Sequence, residues 1–538
     1  MLRNSLPSLG VFGLAFATAF ATAQIARADE TPRSGGTLTI ALERQAQCID
    51  PQQDNYGYGS EAGRQLVDSL TDQSYDDPTK IVPWLAASWE INKDASSYVF
   101  HLRKDVTFSD GQPFNAQVVK DNFEALQKIP GAAGASYLKG NTQIAVVDPY
   151  TLRIDFSAPN VPFLPATSTA ELGFVSPATL TQTSDARCHN GVIGSGPFKI
   201  ESVNYNEKAV LAKRAGYHWA SSLRKHQGEP YLDRVVYRIV PEPNVRTGAL
   251  TSHQVAVIQS VSESDAPALE SAGYPVSRVE YLGTAVNLLI NTSRGVLADR
   301  HVRQALSHAV NREEVNQLAF SGYKLPATGV LSRKTPYYVN ESAALAYNPD
   351  WSRKTLDDDG WKLGADGVRS KDGKPLAITV SFYSSPLNKT FLEVVQQEIR
   401  DVGFDLKLRP LTGGAFDQAL LSGDYDLHRW QWSLGDVDVL RSVYSTKTLN
   451  RFRLPPNNPI DAPLEAQRAT TDPVERAKIT AAIQKTIIDE AYAIPIFDNV
   501  NLWALDKKVR DVTYGSAGTD GPNQILYDAW LVDGGHGT

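Results

Sequence analysis

Hydrophobic and polar positions recur along this chain with two different periods. The stretches 37–42 (TLTIAL), 98–102 (YVFHL) and 152–156 (LRIDF) read as strands. The second is followed by the turn Ser109-Asp110-Gly111. Over 115–127, Val118, Val119, Asn122, Phe123 and Leu126 gather near one face of a helix. Val302, Ala305, Leu306, Ala309 and Val310 recur at i, i+3, i+4, which predicts one helix over 300–320 with Asp299 as its N-cap.

The next segment is the most regular. Leu376, Ile378, Val380 and Phe382 alternate with Ala377, Thr379, Ser381 and Tyr383, as in a strand. A helix over 388–402 stops at Gly403, and a second strand covers 404–408. Such a β-α-β unit makes its two strands parallel. A short helix at 415–421 ends at Gly423, and 425–432 (YDLHRWQW) forms a third strand. The fold class is therefore α/β. An open α/β sheet takes its ligands at the carboxyl ends of its strands. The segment 433–438 (SLGDVD) leaves the third strand at such a place.

Length adds that this is not one core: 538 residues predict about three to five units. Hydrophobic residues at 42% and charged residues at 21% are ordinary for a soluble globular chain. Lys plus Arg is 53 against 60 Asp plus Glu, a net charge of −7, which argues against a nucleic-acid partner. The one methionine is Met1, so methionine metal sites are excluded from a processed chain. Arg3, an apolar run from Leu9 to Ala23 and the small-x-small motif Ala26-Arg27-Ala28 read as a cleavable signal peptide over 1–28. A membrane span needs roughly 20 strongly apolar residues, and this run is shorter and rich in Ala and Thr. An exported chain with two cysteines, Cys48 and Cys188, is read first as carrying a disulfide.

Candidate chemistry concentrates in one strand. Asp426, His428, Trp430 and Trp432 share one of its faces, and Leu427, Arg429 and Gln431 share the other. Two tryptophans at i, i+2, with Asp436 and Asp438 beyond, make either an aromatic wall with an acidic end or two core residues beside a solvated turn. The wall would suit a cationic or amphipathic ligand. Asp357-Asp358-Asp359 lacks calcium-loop spacing, and His301 and His308 are two helical turns apart, so no metal site is expected. The G-x-S-x-G, H-E-x-x-H and G-x-x-x-x-G-K-[ST] signatures are absent. A carboxylate pair for hydrolysis has no fixed spacing and stays open.

Several segments, in order, carry a resemblance. Residues 84–113 end in LRKDVTFSDGQP, 194–198 read GSGPF, 291–315 read NTSRGVLADRHVRQALSHAVNREEV, and 366–376 read DGVRSKDGKPL. Together they resemble the family 5 solute-binding proteins of peptide/nickel-type ABC importers. The resemblance implies a periplasmic binding protein-like fold of two lobes joined by a hinge. The first lobe would comprise 29–75, 192–285 and 495–538, with a subdomain inserted at 76–191, and the second lobe would be 286–494. The chain would cross between lobes near 282–289 and 494–497. A Cys48–Cys188 disulfide would staple the first lobe to its insert without locking the hinge.

The resemblance also implies a function: capture of a small solute, short peptides or peptide-like compounds foremost, by hinge closure, with delivery to an ABC permease. It implies a periplasmic, monomeric protein without cofactor or catalysis. Nickel chelates or other metallophores, opines and oligosaccharides are alternatives on the same scaffold, and an exported hydrolase is the alternative of another class. Tyr425, Asp426, Arg429 and Trp432 fall on the peptide binders' pattern, whose ammonium-binding Asp lies three residues after the Trp. That position is Gly435, and the acid is Asp436. Arg429 would suit a ligand carboxylate, and His428 keeps the chelate branch open. Asn55, Tyr56 and Tyr58 would line the first-lobe wall, Tyr383 would face the cleft, and Trp430 and Asp438 would also contact the ligand.

Overall fold

A computed structural model describes residues 30–533, apart from 45–47, 54–57, 131, 133, 139–141, 205–206 and 519–520. The expected signal peptide, Asn55 and Tyr56 lie outside the described residues. Two sheets organise two lobes. The first has seven strands in the order Val276–Glu280, Val500–Leu505, Val257–Ile258, Thr37–Leu42, Arg234–Ile239, Lys208–Lys213, Phe198–Asn204. Alternation in Thr37–Leu42 buries Leu38, Ile40 and Leu42 in one core with Leu66, Val67 and Trp503.

The second sheet has six strands in the order Leu325–Pro326, Ala493–Asp498, Val286–Ile290, Leu427–Trp430, Ala377–Tyr383, Asp405–Leu411. The expected β-α-β unit is present: Ala377–Tyr383 and Asp405–Leu411 pair in parallel, joined by the helix Pro386–Arg400. Ser385 caps that helix through Asn388 N. Gly403 follows it at φ +105, and a Cβ there would lie 2.5 Å from Arg369 Cγ. A third, antiparallel sheet of Ala86–Ile91, Ser97–Leu102, Thr151–Asp155 and Gln143–Asp148 carries its own core around Phe100, Phe123 and Phe163. This is the inserted subdomain.

The chain passes from the first sheet to the second through 281–285, and returns at Asn499, between Asp498 and Val500. The expected second-lobe limit at residue 494 is thus too early, because Pro495 and Phe497 still pair with Asn287 and Val286. Val286–Ile290 and Ala493–Asp498 are buried throughout, as crossing strands inside a sheet must be.

The single helix expected over 300–320 is two, Arg300–His308 and Arg312–Phe320. Asp299 caps the first through His301 N, as expected, and Asn311 caps the second through Glu314 N. The break turns Arg312 inward, where it donates to the carbonyls of Leu345 and Pro495. The third strand is also shorter than expected: only Leu427–Trp430 pairs, with Trp432 beyond its end. Cys48 and Cys188 form a disulfide, with the buried ion pair Arg187–Asp50 beside it at 2.7 Å.

Candidate functional site

A cavity of about 1040 Å³ lies between the inserted subdomain and the second lobe. Tyr137, Phe156, Pro162 and Pro165 line one side, and Trp430, Trp432, Leu434, Arg451 and Arg468 line the other. The first lobe proper contributes Gln73. The two walls touch directly: Val161 N donates to Arg468 O at 3.0 Å, and Gln73 Nε2 to Gly435 O at 2.8 Å.

Both tryptophans line the cavity and also pack against the core of the second lobe. Their i, i+2 spacing places both rings on one side of the chain. They stack 6.0 Å apart at 14°. The helix Gly414–Ser422 lowers Phe416 onto Trp430 at 5.8 Å and onto His428 at 4.5 Å. Tyr383 meets the edge of Phe416 at 5.9 Å, and so ends this aromatic row outside the cavity lining.

His428 is fully buried beneath Phe416, beside Tyr425 and Trp430. Burial, reinforced by Arg429 and Arg451, lowers its pKa to about 3, so the ring is neutral. It meets no surface through which a metal chelate could reach it. Arg429 points from the opposite face of the strand, within electrostatic reach of Lys324, and is not part of the lining. Tyr58 opens the helix Tyr58–Leu66.

The acids are committed within the protein. Asp436 takes a two-pronged ion pair from Arg476, Nη1 to Oδ2 at 2.8 Å and Nη2 to Oδ1 at 2.6 Å. Both side chains are almost completely buried. Burial opposes the Arg476 charge, but Asp436 outweighs it and raises the guanidinium pKa. Asp438 accepts from Gln467 Nε2 at 2.5 Å and pairs with Arg441 at 3.1 Å. The expected acidic end of the aromatic wall is therefore neutralised from behind by Arg476 and Arg441. A Cβ at Gly435 would lie 2.4 Å from Gln73 Oε1, so a side chain there would have to displace the Gln73 amide.

Besides Arg441, two lining arginines, Arg451 and Arg468, were not expected from the sequence. Arg451 is 6% exposed and lies over both tryptophans, 5.8 and 5.9 Å from their centroids. Burial lowers its pKa to about 10, still charged at neutral pH. Arg468 extends from the helix Asp461–Ala469, and burial, with Arg441 nearby, lowers its pKa too. Neither belongs to a periodic pattern that points at the site, and nothing local in the sequence marks them.

Among the described residues one group could share a cation, Asp299, His301 and Asp359. It is not part of the cavity lining, Asp299 caps a helix, and Asp359 pairs with Lys371 at 3.2 Å. No helix among the described residues is long and apolar enough to cross a membrane.

Residues 80–451 match the family model for bacterial extracellular solute-binding proteins, family 5 Middle. The nickel-binding periplasmic protein of Escherichia coli K12 is 25% identical over 465 residues, covering 82% of this chain and 86% of that protein. The glutathione-binding protein of Salmonella typhimurium is 25% identical over 480 residues, covering 85% and 88%. Among solved structures, NikA from Brucella suis in complex with Fe(III)-EDTA superposes with a TM-score of 0.78 at 26% identity, covering 89% of this chain and 97% of that one. DppA from Helicobacter pylori in complex with the peptide STSA gives 0.75 at 23% identity, covering 93% and 98%.

Proposed function

Because the chain belongs to the bacterial extracellular solute-binding proteins of family 5, we propose that its cavity captures a short peptide or peptide-like solute. As the substrate-binding component of an ABC importer, the chain serves capture and delivery. The proposed binding residues are Trp430 and Trp432, with Arg451 and Arg468 beside them. In the proposed cycle, the inserted subdomain and the second lobe part for entry and close over the solute, with the change absorbed at 281–285 and at Asn499. A solute that touches both walls favours the closed form by its differential affinity for it. The processed protein is then a monomer in the periplasm, exported by residues 1–28, and presents its closed face to the permease. Its first lobe comprises 29–75, 192–285 and the chain after Asn499, with 76–191 inserted.

The observation that carries this reading is the aromatic cavity of about 1040 Å³ walled by two separate units of the fold. Its volume is that of sites which enclose ligands the size of drugs or short peptides. Similarity to a protein named for glutathione supports a peptide-like solute. A nickel chelate held through His428 is disfavoured, because that ring is buried and neutral.

Native mass spectrometry of the protein released from its own periplasm tests the proposal. A stoichiometric organic solute, recovered chemically intact after incubation, is the expected result. Turnover of the solute, or a bound metal with no organic component, would overturn it.

A further inference from the structure

Charge around the cavity does not balance, and the surplus is positive. Four carboxylates, Asp417, Asp436, Asp438 and Glu465, face Lys447 and four guanidiniums. Arg476 holds Asp436, while Arg441 reaches both Asp438 and Glu465 at 3.1 and 3.9 Å. Asp438 and Glu465 act on Arg468 only from a distance, and Arg468 Nε has no hydrogen-bond partner. Arg451 forms no ion pair among the described residues. One of its nitrogens donates to Ser442 O, and its buried Nε has no partner. A guanidinium that is more than nine-tenths buried is expensive to leave unpaired, and the natural complement to a planar fork is a carboxylate.

We infer that the solute is held here by a carboxylate, which pairs with Arg451 while the group next to it stacks on Trp432. The inference rests on the peptide-like reading above and refines it. The solute is anchored by its acidic end: Asp436 and Asp438, the acids beyond Trp432, are already paired, and Asp417 lies exposed in the lining. Gly435 itself carries no side chain, and Gln73 Nε2 donates to its carbonyl. Arg451 lies over both indole faces, so the ion pair and the stack form side by side, in the manner of a C-terminal aromatic or aliphatic residue.

The test uses the full processed chain, stripped of any solute by unfolding and refolding. Isothermal titration is run with one phenylalanine-containing dipeptide in four forms: free, N-acetylated, C-amidated, and blocked at both ends. Citrate and phthalate serve as acids that are not peptides. Charge-assisted hydrogen bonds of this kind make amidation weaken binding about 10- to 100-fold, with acetylation having little effect. In Arg451→Gln the difference between acid and amide disappears. Arg451→Lys restores part of it, which separates loss of charge from misfolding.

Loss of binding on acetylation, with amidation tolerated, overturns the inference and leaves peptide capture standing. Binding of citrate or phthalate but of no dipeptide, with the same dependence on Arg451, supports the inference and removes the peptide reading. Absence of binding by every probe at millimolar concentration overturns both.

Discussion

Thr284 and Trp432 are joined by two hydrogen bonds: Thr284 N donates to Trp432 O at 2.9 Å, and Trp432 N donates to Thr284 Oγ1 at 3.0 Å. One residue lies on the segment that crosses between the lobes, and the other forms the aromatic wall. Ser433 Oγ adds a third bond, to Leu282 O at 2.8 Å. The wall is therefore fastened to the crossing segment itself. In the proposed cycle, a solute that presses on Trp432 acts directly on the backbone at which the lobes rotate.

Gly283 sits within this contact at φ +108, and a Cβ on it would lie 2.2 Å from Trp432 O. Gly283→Ala must distort both the crossing segment and the wall. The backbone conformation and the clash together should lower stability by more than about 2 kcal/mol. Urea unfolding measures that loss. X-ray scattering with and without solute should show that the remaining folded protein no longer compacts on binding.

The Cys48–Cys188 disulfide closes a sequence separation of 140 residues entirely on one side of the hinge. Its removal in Cys48→Ser/Cys188→Ser should cost about 2–5 kcal/mol of stability, as for other native disulfides. The buried pair Arg187–Asp50 keeps the two segments aligned. Solute affinity and ligand-induced compaction should both be unchanged. A variant that loses compaction would show that the staple does reach the hinge.

How much of this was legible depended on whether a residue's role was set locally. Period-two alternation placed Trp430 and Trp432 on one face, and the β-α-β unit followed from its periodicities and Gly403. The partner of Asp436 is Arg476, 40 residues downstream on another helix. Nothing near Asp436 reveals that its charge is neutralised. His428 shares a face with the tryptophans, yet Phe416 from a separate helix covers it. Arg451 lies in the connection between the helices Val439–Tyr444 and Asp461–Ala469, Arg468 lies on the second of them, and both are brought to the wall by tertiary packing alone. The break at Asn311 had a local signal, an Asn before Arg-Glu-Glu, but the uninterrupted apolar spacing up to Val310 concealed it.

Glu61 makes stability depend on pH. It is buried in the first lobe, accepts from Gln524 N at 3.1 Å, and lies near Tyr237 and Tyr514. Burial raises its pKa from 4.5 to about 8. Between these values the folded chain keeps the proton and the unfolded chain has lost it. The stability present below pH 4.5 is therefore lost as pH rises toward 8, by at most about 1.4 kcal/mol per pH unit for this one group. Glu61→Gln should remove that slope. Denaturation curves from pH 5 to 8 should show the variant gaining on the parent protein as pH rises; parallel curves would contradict the assignment.

Trp430 and Trp432 should separate when each is replaced. Trp430 is packed between Phe416 and Trp432 and supports the row from within. Trp430→Ala should therefore cost stability as well as affinity, because Phe416 and His428 lose their neighbour. Trp432 is the outer ring, and its bonds to Thr284 are made by backbone atoms. Trp432→Ala keeps those bonds, so the hinge connection survives while the stacking surface goes. Loss of one aromatic anchor of this kind should weaken solute binding about 10- to 100-fold with little change in unfolding midpoint. Titration calorimetry and thermal denaturation on the two variants give the comparison. Equal loss of affinity and of stability in both would mean that the tryptophans are a structural pair and that the solute binds elsewhere in the cavity.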